Sequence, residues 1–192
     1  MREYSALNHV PVAPRARLAR PEGSGRVTLD EPAFAVMTDL REVPAATTSA
    51  GESVDRAHAN MLQRGVRLLF VVDRDGAIEG VITATDILGE KPLRVAQSRG
   101  IPHGELAVAD LMTPATQLEA LSLQDVSQMR VGHIVATLKQ VRRQHVMVCE
   151  DGGRVVRGLF SASKVARQLG VQLQTFEVAS TFADIEAALA RT

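Results

Sequence analysis

Three polar side chains lie close together where an apolar segment changes to a helical pattern. The segment GVITATD runs from Gly80 to Asp86 and offers the hydroxyls of Thr83 and Thr85 beside the carboxylate of Asp86. Free backbone N–H groups at a helix start favour an anion, and a carboxylate can accept hydrogen bonds from both hydroxyls of a ribose. The same residue types are also common helix caps. This pattern alone therefore fits two interpretations, a ligand site and a helix cap.

A second copy of the pattern follows later in the chain, in the segment GLFSASK from Gly158 to Lys164. Ser161 and Ser163 repeat the two hydroxyls, whereas Lys164 stands in the place of the carboxylate. Two copies of one supersecondary unit usually indicate two stacked halves related by a pseudo-twofold axis. The repeat therefore favours a ligand site over an incidental cap.

Each polar cluster is expected at the end of a strand pair that positions it. Leu68–Val72 is short, apolar and partly β-branched, which predicts a buried strand. Asp75–Gly76 predicts a tight turn, and Ile78–Thr83 is the predicted returning strand. Within that strand, Gly80 leaves room for a close backbone or ligand approach. The second copy predicts the same strand, turn and strand from Val146 onward.

Helices with clear start and stop signals precede these strands. Ser53 is predicted to cap a helix that runs through Gln63 and ends at Gly65. In the second copy, apolar residues at helical spacing predict an amphipathic helix over residues 131–141. The extended entry segments expected before these helices are Val43–Thr48 and Leu118–Leu121.

Each copy resembles a CBS domain, the β-α-β-β-α unit first described in cystathionine β-synthase. The usual ending of that unit is a glycine, two apolar residues, Thr or Ser, two further residues and Asp. Gly80–Asp86 fits this ending throughout, and Gly158–Lys164 departs from it only at Lys164. The resemblance covers roughly Val36 to Gly170. It implies an α/β fold of the α+β type, with two CBS repeats packed in pseudo-twofold symmetry and a C-terminal strand-helix extension.

The resemblance also implies adenosine ligands in the clefts between the repeats, namely AMP, ADP, ATP, S-adenosylmethionine or, in some relatives, cyclic dinucleotides. The ligand-binding residues that it implies are Asp86 for the ribose hydroxyls, Thr83 and Thr85 for ribose or phosphate, Thr47 for the base edge, and Ile82 and Val71 for the purine slot. A hydrogen bond from ribose to a charged carboxylate contributes roughly 1.5–3 kcal/mol. No cofactor is required, because the nucleotide is a regulatory ligand.

The second site is expected to be degenerate. Ser161 and Ser163 keep the hydroxyls, but Lys164 carries only donors and cannot accept hydrogen bonds from ribose. Its ammonium group can instead pair with a phosphate that reaches across from the first site, or it can fill the cleft. We therefore expect at most one nucleotide per chain.

Three functional hypotheses follow from these features. The leading one is a regulatory module that senses an adenosine nucleotide, works as a homodimer and signals to an effector protein in trans. The alternative is a degenerate CBS pair that acts as a dimerisation or protein-interaction scaffold without a small ligand. The third is RNA association through an Arg-containing N-terminus and the cluster Lys139–Arg143; zero formal net charge and 3% aromatic residues argue against a nucleic-acid partner.

Composition limits the compartment in which the chain is expected to work. The 192 residues include a single cysteine, Cys149. One cysteine excludes an intrachain disulfide and favours a reducing environment. No apolar run reaches the ~18 residues of a membrane span. The sequence therefore predicts a cytoplasmic protein that does not cross a membrane.

The sequence offers no arrangement for catalysis. His145 and Cys149 are expected about 13 Å apart along one extended strand, too far for a base and its nucleophile. The five histidines show no metal-ligand spacing, and phosphate-loop, serine-hydrolase and zinc-peptidase motifs are absent. We therefore predict no enzyme activity, no catalytic residue and no metal site.

These signals divide the chain into five segments. They are a flexible tail at residues 1–26, a first CBS domain at 27–92, a linker at 93–107, a second and degenerate CBS domain at 108–170, and a C-terminal strand and helix at 171–192. The further expected elements are a short strand at Val27–Leu29, a helix from Pro32 through Met37, one or two helical turns at Leu93–Ser98, and a last helix capped by Thr181 and Asp184.

Overall fold

The structure is a computed structural model that describes residues 26–171 together with Pro11, Ala13, Ala183 and Ile185. The tail predicted for residues 1–26 lies almost entirely outside the described residues. The same holds for the strand and capping box predicted after Val171. Within that C-terminal segment, Ala183 and Ile185 have helical backbone, and Ile185 is buried.

The first half contains a two-strand hairpin flanked by helices, as the sequence predicts. Its elements are β1 (Thr38–Asp39), β2 (Thr47–Thr48), α1 (Val54–Arg64), β3 (Leu68–Val72), β4 (Ile78–Thr83), α2 (Ala84–Leu88), α3 (Lys91–Arg99) and α4 (Val108–Leu111). Ser53 caps α1 by accepting a hydrogen bond from the Arg56 backbone N–H, and Gly65 ends the helix in the left-handed conformation.

The second half repeats this order. Its elements are β5 (Thr113–Pro114), β6 (Ala120–Ser122), α5 (Leu123–Ser127), α6 (Val131–Val141), β7 (His145–Glu150), β8 (Val155–Ser161) and α7 (Ala162–Gln168). The predicted helix over residues 131–141 is confirmed at both ends. Its apolar stripe is buried at Val131, Ile134 and Leu138. Because only this face is buried, the sequence shows apolar residues at helical spacing.

Two of the expected elements near the N-terminus are wrong. Val27–Leu29 forms no strand, and Pro32 precedes a short 3-10 turn at Ala33–Val36 rather than an α-helix. That turn is buried against the second half at Ala33 and Val36, so tertiary packing decides its conformation. The helical turns expected at Leu93–Ser98 are present within the longer helix α3.

The two halves exchange the short strands that begin them, β1 and β5, which are called the lead-in strands below. The strand order is β2-β3-β4-β5 in the first sheet and β6-β7-β8-β1 in the second, so each hairpin pairs with a short strand from the other half. In the first sheet, Thr113 pairs with Val81, and in the second Thr38 pairs with Leu159. The equal order, with a register shift in each hairpin, establishes the expected pseudo-twofold relation of the two repeats.

Three apolar clusters hold these layers together. One cluster lies between helices and sheet in each half, and it includes Leu106, Val108 and Leu111 in the first half. The third cluster lies between the two sheets and joins Leu68, Phe70 and Val81 of the first half to Met147 of the second. Residues that the predicted division assigns to the linker and the second domain therefore pack in the core of the first half. The two sheets also share one apolar interface.

The motif glycines are explained by this strand exchange. A Cβ atom on Gly80 would collide with the Thr113 carbonyl oxygen of β5, and one on Gly158 would lie 2.7 Å from the Thr38 carbonyl oxygen of β1. The close approach predicted at Gly80 is therefore an approach of backbone. Only glycine lets the lead-in strand come this near.

We predict that Gly80→Ala and Gly158→Ala each lower the free energy of unfolding by about 1–3 kcal/mol, since the added methyl group pushes the lead-in strand off the hairpin. Urea unfolding followed by circular dichroism measures this change. The matched control is Gly51→Ala, because a Cβ at Gly51 meets no atom within 4 Å. Equal stability of Gly80→Ala and the Gly51→Ala control would show that the contact does not constrain the fold.

Candidate functional site

A cleft of about 460 Å³ opens between the two halves. Its wall comes from the lead-in segment at residues 38–46, from the end of α1 through β3, and from β7, β8 and α7. The volume falls in the range of small-molecule sites, roughly 300–1,000 Å³. Because both repeats contribute residues, a ligand bound here would contact both halves at once.

Cations surround this cleft. Arg64, Arg67, Lys164 and Arg167 line it, and no described acidic residue does. Arg67 and Lys164 are half-buried, whereas Arg64 and Arg167 are exposed. Burial lowers the pKa of Arg67, and the charge of Arg167 lowers the pKa of Arg67 further. The cleft thus concentrates positive charge in partly desolvated surroundings, which favours an anionic ligand.

Lys164 connects the second motif to the exchanged strand β1. Its Nζ donates to the Met37 carbonyl oxygen and to Thr38 Oγ1, both at 3.0 Å. Burial lowers the pKa of Lys164. The lysine therefore holds the lead-in segment in place and still lines the cleft, so it does not simply plug the site.

The two serines of the second motif point their hydroxyls at each other. Ser161 Oγ and Ser163 Oγ lie 3.0 Å apart, and both residues line the cleft. Ser161 precedes α7 but makes no side-chain cap bond to it. Both hydroxyls therefore remain beside the ammonium group of Lys164 as hydrogen-bonding groups of the cleft wall.

His145, the first residue of β7, adds a buried polar atom to this wall. Its Nδ1 atom has no hydrogen-bond partner among the described residues. Burial, together with the charge of Arg67, lowers the pKa of His145 to about 4, so the ring is neutral at pH 7. His145 pairs with Ser161 across the second hairpin. At the equivalent positions of the first hairpin, the apolar Leu68 pairs with Thr83.

Asp86, the predicted ribose ligand, is bonded within the chain. Its Oδ2 accepts from the Thr83 backbone N–H at 2.9 Å and from Thr83 Oγ1 at 2.6 Å, and Thr83 Oγ1 accepts from the Asp86 backbone N–H at 3.2 Å, which completes a capping box on α2. Its Oδ1 accepts from Lys91 Nζ at 3.3 Å, and Lys91 also donates to the Leu111 carbonyl oxygen. Asp86 and Thr83 are therefore brought together, as a helix cap with an attached ion pair.

The remaining residues predicted for the first site are dispersed. Thr85 is exposed on α2, and it does not line the 460 Å³ cleft. Thr47 lines a different and more open cleft of about 1330 Å³, to which both hairpin turns contribute. Cys149 lies on the wall of that same open cleft, and burial raises the pKa of its thiol.

Val71 and Ile82, which are predicted to line a purine slot, lie in the core of the first half. Both are fully buried, and both belong to the core between helices and sheet in the first half. Alternate residues of a strand face opposite sides of a sheet, so their neighbours point toward the second half. Leu68 and Phe70 have that orientation and line the 460 Å³ cleft. In this cleft the apolar wall therefore comes from Leu68 and Phe70.

Sequence reasoning did not single out Arg64, Arg67, His145 or Arg167 as site residues. None of these residues belongs to the repeated motif, and they come from α1, β7, α7 and the segment before β3. The signal available was charge: three of the four are arginines that flank apolar strands or end a helix. That signal is ambiguous, because basic residues at helix ends also stabilise the helix dipole.

The described part of the chain has neither a metal-binding cluster nor a membrane-spanning helix. No group of three or more His, Cys, Asp or Glu side chains there is arranged to hold a metal ion. None of the described helices has the length and apolar character needed to cross a bilayer.

Comparisons with known proteins agree with this geometry. The family model of the CBS domain matches residues 34–92. Among solved structures, an uncharacterised conserved protein from Pyrococcus horikoshii superposes with a TM-score of 0.55 at 22% identity, covering 78% of this chain and 99% of that one. A comparison with curated protein sequences finds no match.

Two further similar structures contain adenosine compounds. The CBS domain pair of protein MJ0100, in complex with 5'-methylthioadenosine and S-adenosyl-L-methionine, has a TM-score of 0.51 at 19% identity and covers 75% of this chain and 97% of its own. CBSX2 in complex with AMP has a TM-score of 0.51 at 20% identity and covers 71% and 94%. Residues 34–92 of the present chain therefore match the CBS domain, and its two repeats have the fold of the solved CBS domain pairs.

We predict that His145 makes stability depend on pH. The unfolded chain binds a proton near pH 6.5 and the folded chain only near pH 4, so stability is lost as the pH falls through this interval. Between pH 7.5 and pH 5 the loss due to His145 is about 2 kcal/mol. Urea unfolding of wild type and His145→Leu at both pH values, without ligand, measures the difference.

His145→Leu introduces the residue type that the first repeat has at the equivalent position, Leu68, so we expect only small changes in packing. The control is His103→Gln on an exposed histidine, which should keep the wild-type pH dependence. If His145→Leu loses as much stability on acidification as wild type, His145 is not the responsible group.

Proposed function

We propose that this chain is a ligand-sensing regulatory module that binds an adenosine nucleotide between its two CBS repeats and signals to a partner protein in trans. The single observation that carries this proposal is the 460 Å³ cleft, whose wall comes from both repeats. A ligand that contacts both repeats changes their relative stability or position, and a partner can read that change. The proposed role is regulatory rather than catalytic.

The wall of the cleft has the two kinds of surface that a nucleotide needs. Leu68 and Phe70 supply an apolar face for a purine, and the hydroxyls and cations described above supply donors for phosphate. The solved complexes of MJ0100 and CBSX2 support an adenosine ligand, because their CBS pairs were crystallised with such compounds.

The first motif is proposed as a second place for ribose. Asp86 and Thr83 lie together, but ribose would have to replace the hydrogen bonds from Thr83 Oγ1 and Lys91 Nζ that the carboxylate accepts now. This exchange offsets much of the gain from two new bonds to ribose. We therefore expect weaker binding there than in the cleft that Lys164 lines.

A thermal-shift experiment tests the proposed ligand class. Ligand at about 100 times its dissociation constant adds about 2.7 kcal/mol to the free energy of unfolding. For a chain of this size the melting temperature should rise by about 5–10 °C. AMP, ADP, ATP, S-adenosylmethionine and cyclic dinucleotides are compared with adenine-free controls such as ribose 5-phosphate. A flat response to every compound at millimolar concentration would refute the adenosine proposal.

A second candidate function is a scaffold without small ligand. The observation that favours it is the engagement of Asp86 in a helix cap and an ion pair, and of Lys164 in hydrogen bonds to the lead-in segment. In this case the motif residues stabilise the fold and no nucleotide raises the melting temperature. The thermal-shift experiment separates the two candidates directly.

We further propose that two copies of the chain associate through the helices of the first half. Leu62, Leu88 and Leu93 are 70%, 66% and 61% exposed, on α1, α2 and α3. Helix α2 contacts both α1 and α3, so these leucines lie on neighbouring helices. Zero formal net charge means that two copies do not repel each other strongly. Exposed apolar side chains grouped on adjacent helices are typical of an interface.

We predict that Leu62→Asp and Leu88→Asp each shift the chain from dimer to monomer, because a carboxylate would be buried at the interface without a partner. Light scattering coupled to size-exclusion chromatography measures the mass. The control is Val155→Asp, an exposed apolar residue of β8 away from these helices, which should leave the dimer intact. A wild-type chain that elutes as a monomer over the accessible concentration range rules the dimer out.

A further inference from the structure

We propose that the cleft lined by Lys164 selects its ligand by a chain of phosphates, so that it binds nucleoside di- and triphosphates and rejects both nucleosides and S-adenosylmethionine. This inference deepens the proposed function and rests on it. It assigns Lys164, Arg67 and Arg167 to the phosphates and names a ligand class within the adenosine compounds.

The first argument is charge. Four cationic side chains line the cleft, and among the ion pairs between described residues none includes Arg64, Lys164 or Arg167. The carboxylate of Asp39, which follows the lining residue Thr38, is paired with Arg157. The positive charges of Arg64, Lys164 and Arg167 are therefore not neutralised by an ion pair with a described carboxylate. An oligophosphate carries several negative charges on a narrow chain, which matches cations that converge from both repeats.

The second argument is the chemistry of ribose recognition. A ribose diol is bound tightly where a carboxylate accepts hydrogen bonds from both hydroxyls. At the equivalent place this cleft has Lys164, which only donates. Ser161 and Ser163 offer neutral hydroxyls that also donate to phosphate oxygens. The wall of the cleft is therefore rich in donors and poor in acceptors, as phosphate requires and ribose does not.

The third argument is the buried ring of His145. His145 lines the cleft, and its buried Nδ1 has no hydrogen-bond partner among the described residues, which is costly in a folded protein. A phosphate oxygen accepts a hydrogen bond from an imidazole N–H, which would satisfy this atom. Burial lowers the pKa of Arg67 and the charge of Arg167 lowers this pKa further, as expected for two cations that line one cavity; an anion between them would offset the repulsion.

The fourth argument concerns S-adenosylmethionine. That compound carries a sulfonium and an ammonium group against one carboxylate, so its net charge is positive. Placing it among Arg67, Lys164 and Arg167 brings like charges together in a partly desolvated site, which is unfavourable. The same adenosine group with two or three phosphates experiences attraction instead. Charge therefore separates ligands that share a purine.

Isothermal titration calorimetry with the full chain tests this selection. ATP, ADP, AMP, adenosine, S-adenosylmethionine and inorganic tripolyphosphate are compared at two salt concentrations. We expect affinity to rise about tenfold with each phosphate, and adenosine and S-adenosylmethionine to bind at least a hundredfold more weakly than ATP. Affinity for ATP should fall as salt rises. Equal or tighter binding of adenosine or S-adenosylmethionine overturns the proposal.

Variants assign the effect to the cleft. Lys164→Gln should weaken ATP about tenfold, and Lys164→Asp, which completes the carboxylate motif, should weaken ATP at least a hundredfold while strengthening adenosine. Since Lys164 also holds the lead-in segment, Arg167→Gln on an exposed side chain is the second variant, with an expected tenfold loss. Arg94→Gln, an exposed cation of α3, is the matched control and should bind as wild type. Unchanged ATP affinity in both Lys164→Gln and Arg167→Gln would contradict the assignment.

The outcomes separate this inference from the proposed function. If tripolyphosphate binds with the expected loss in Arg167→Gln but no adenosine compound does, the phosphate site stands and the adenosine function fails. If adenosine nucleotides bind with an affinity that depends on Asp86→Asn but not on Lys164→Gln, the proposed function stands and this inference fails. If no compound binds, both fail and the scaffold is supported.

Discussion

The contact on which the rest of the structure depends is the pairing of each short lead-in strand with the hairpin of the other half. Strand β1 pairs with β8, and β5 with β4, at points where Gly158 and Gly80 let the backbones meet. This exchange places the lead-in segment of the first half beside the second motif. The two sheets then share an apolar interface, and the cationic cleft lies where the exchanged segment, both sheets and α7 come together.

Local signals in the sequence were sufficient for the elements that carry their own pattern. Strands Leu68–Val72 and Ile78–Thr83 and helix 131–141 have the predicted bounds, because short apolar runs and helical spacing are properties of neighbouring residues. The exchanged strands are two residues long and pair with residues far away in sequence, so no local pattern could reveal them. The sequence could not show that Val71 faces the core of the first half while Leu68 and Phe70 face the second half, because both faces of β3 are apolar and the strand has no polar alternation.

The two motifs use similar chemistry in different ways. In the first half, Asp86 caps α2 and holds Lys91, whose ammonium group reaches the Leu111 carbonyl oxygen next to β5. In the second half, Lys164 itself reaches the Met37 carbonyl oxygen next to β1. Each half therefore has an ammonium group that secures the exchanged segment, but only the first keeps a carboxylate beside it. The change from Asp to Lys removes a negative charge from the second motif without removing the support for the fold.

Because both repeats lie in one chain, the residues of their two motifs can differ. If the same two halves were identical subunits of a dimer, every substitution would appear in both motifs, and a lysine in place of Asp86 would remove the carboxylate from both. Because the repeats are covalently joined, the symmetry can be broken one side at a time, as at Asp86 and Lys164. The two equivalent positions therefore carry opposite charges, a carboxylate at Asp86 and an ammonium group at Lys164. An approaching anion meets two different sites on a scaffold whose architecture is nearly the same on either side.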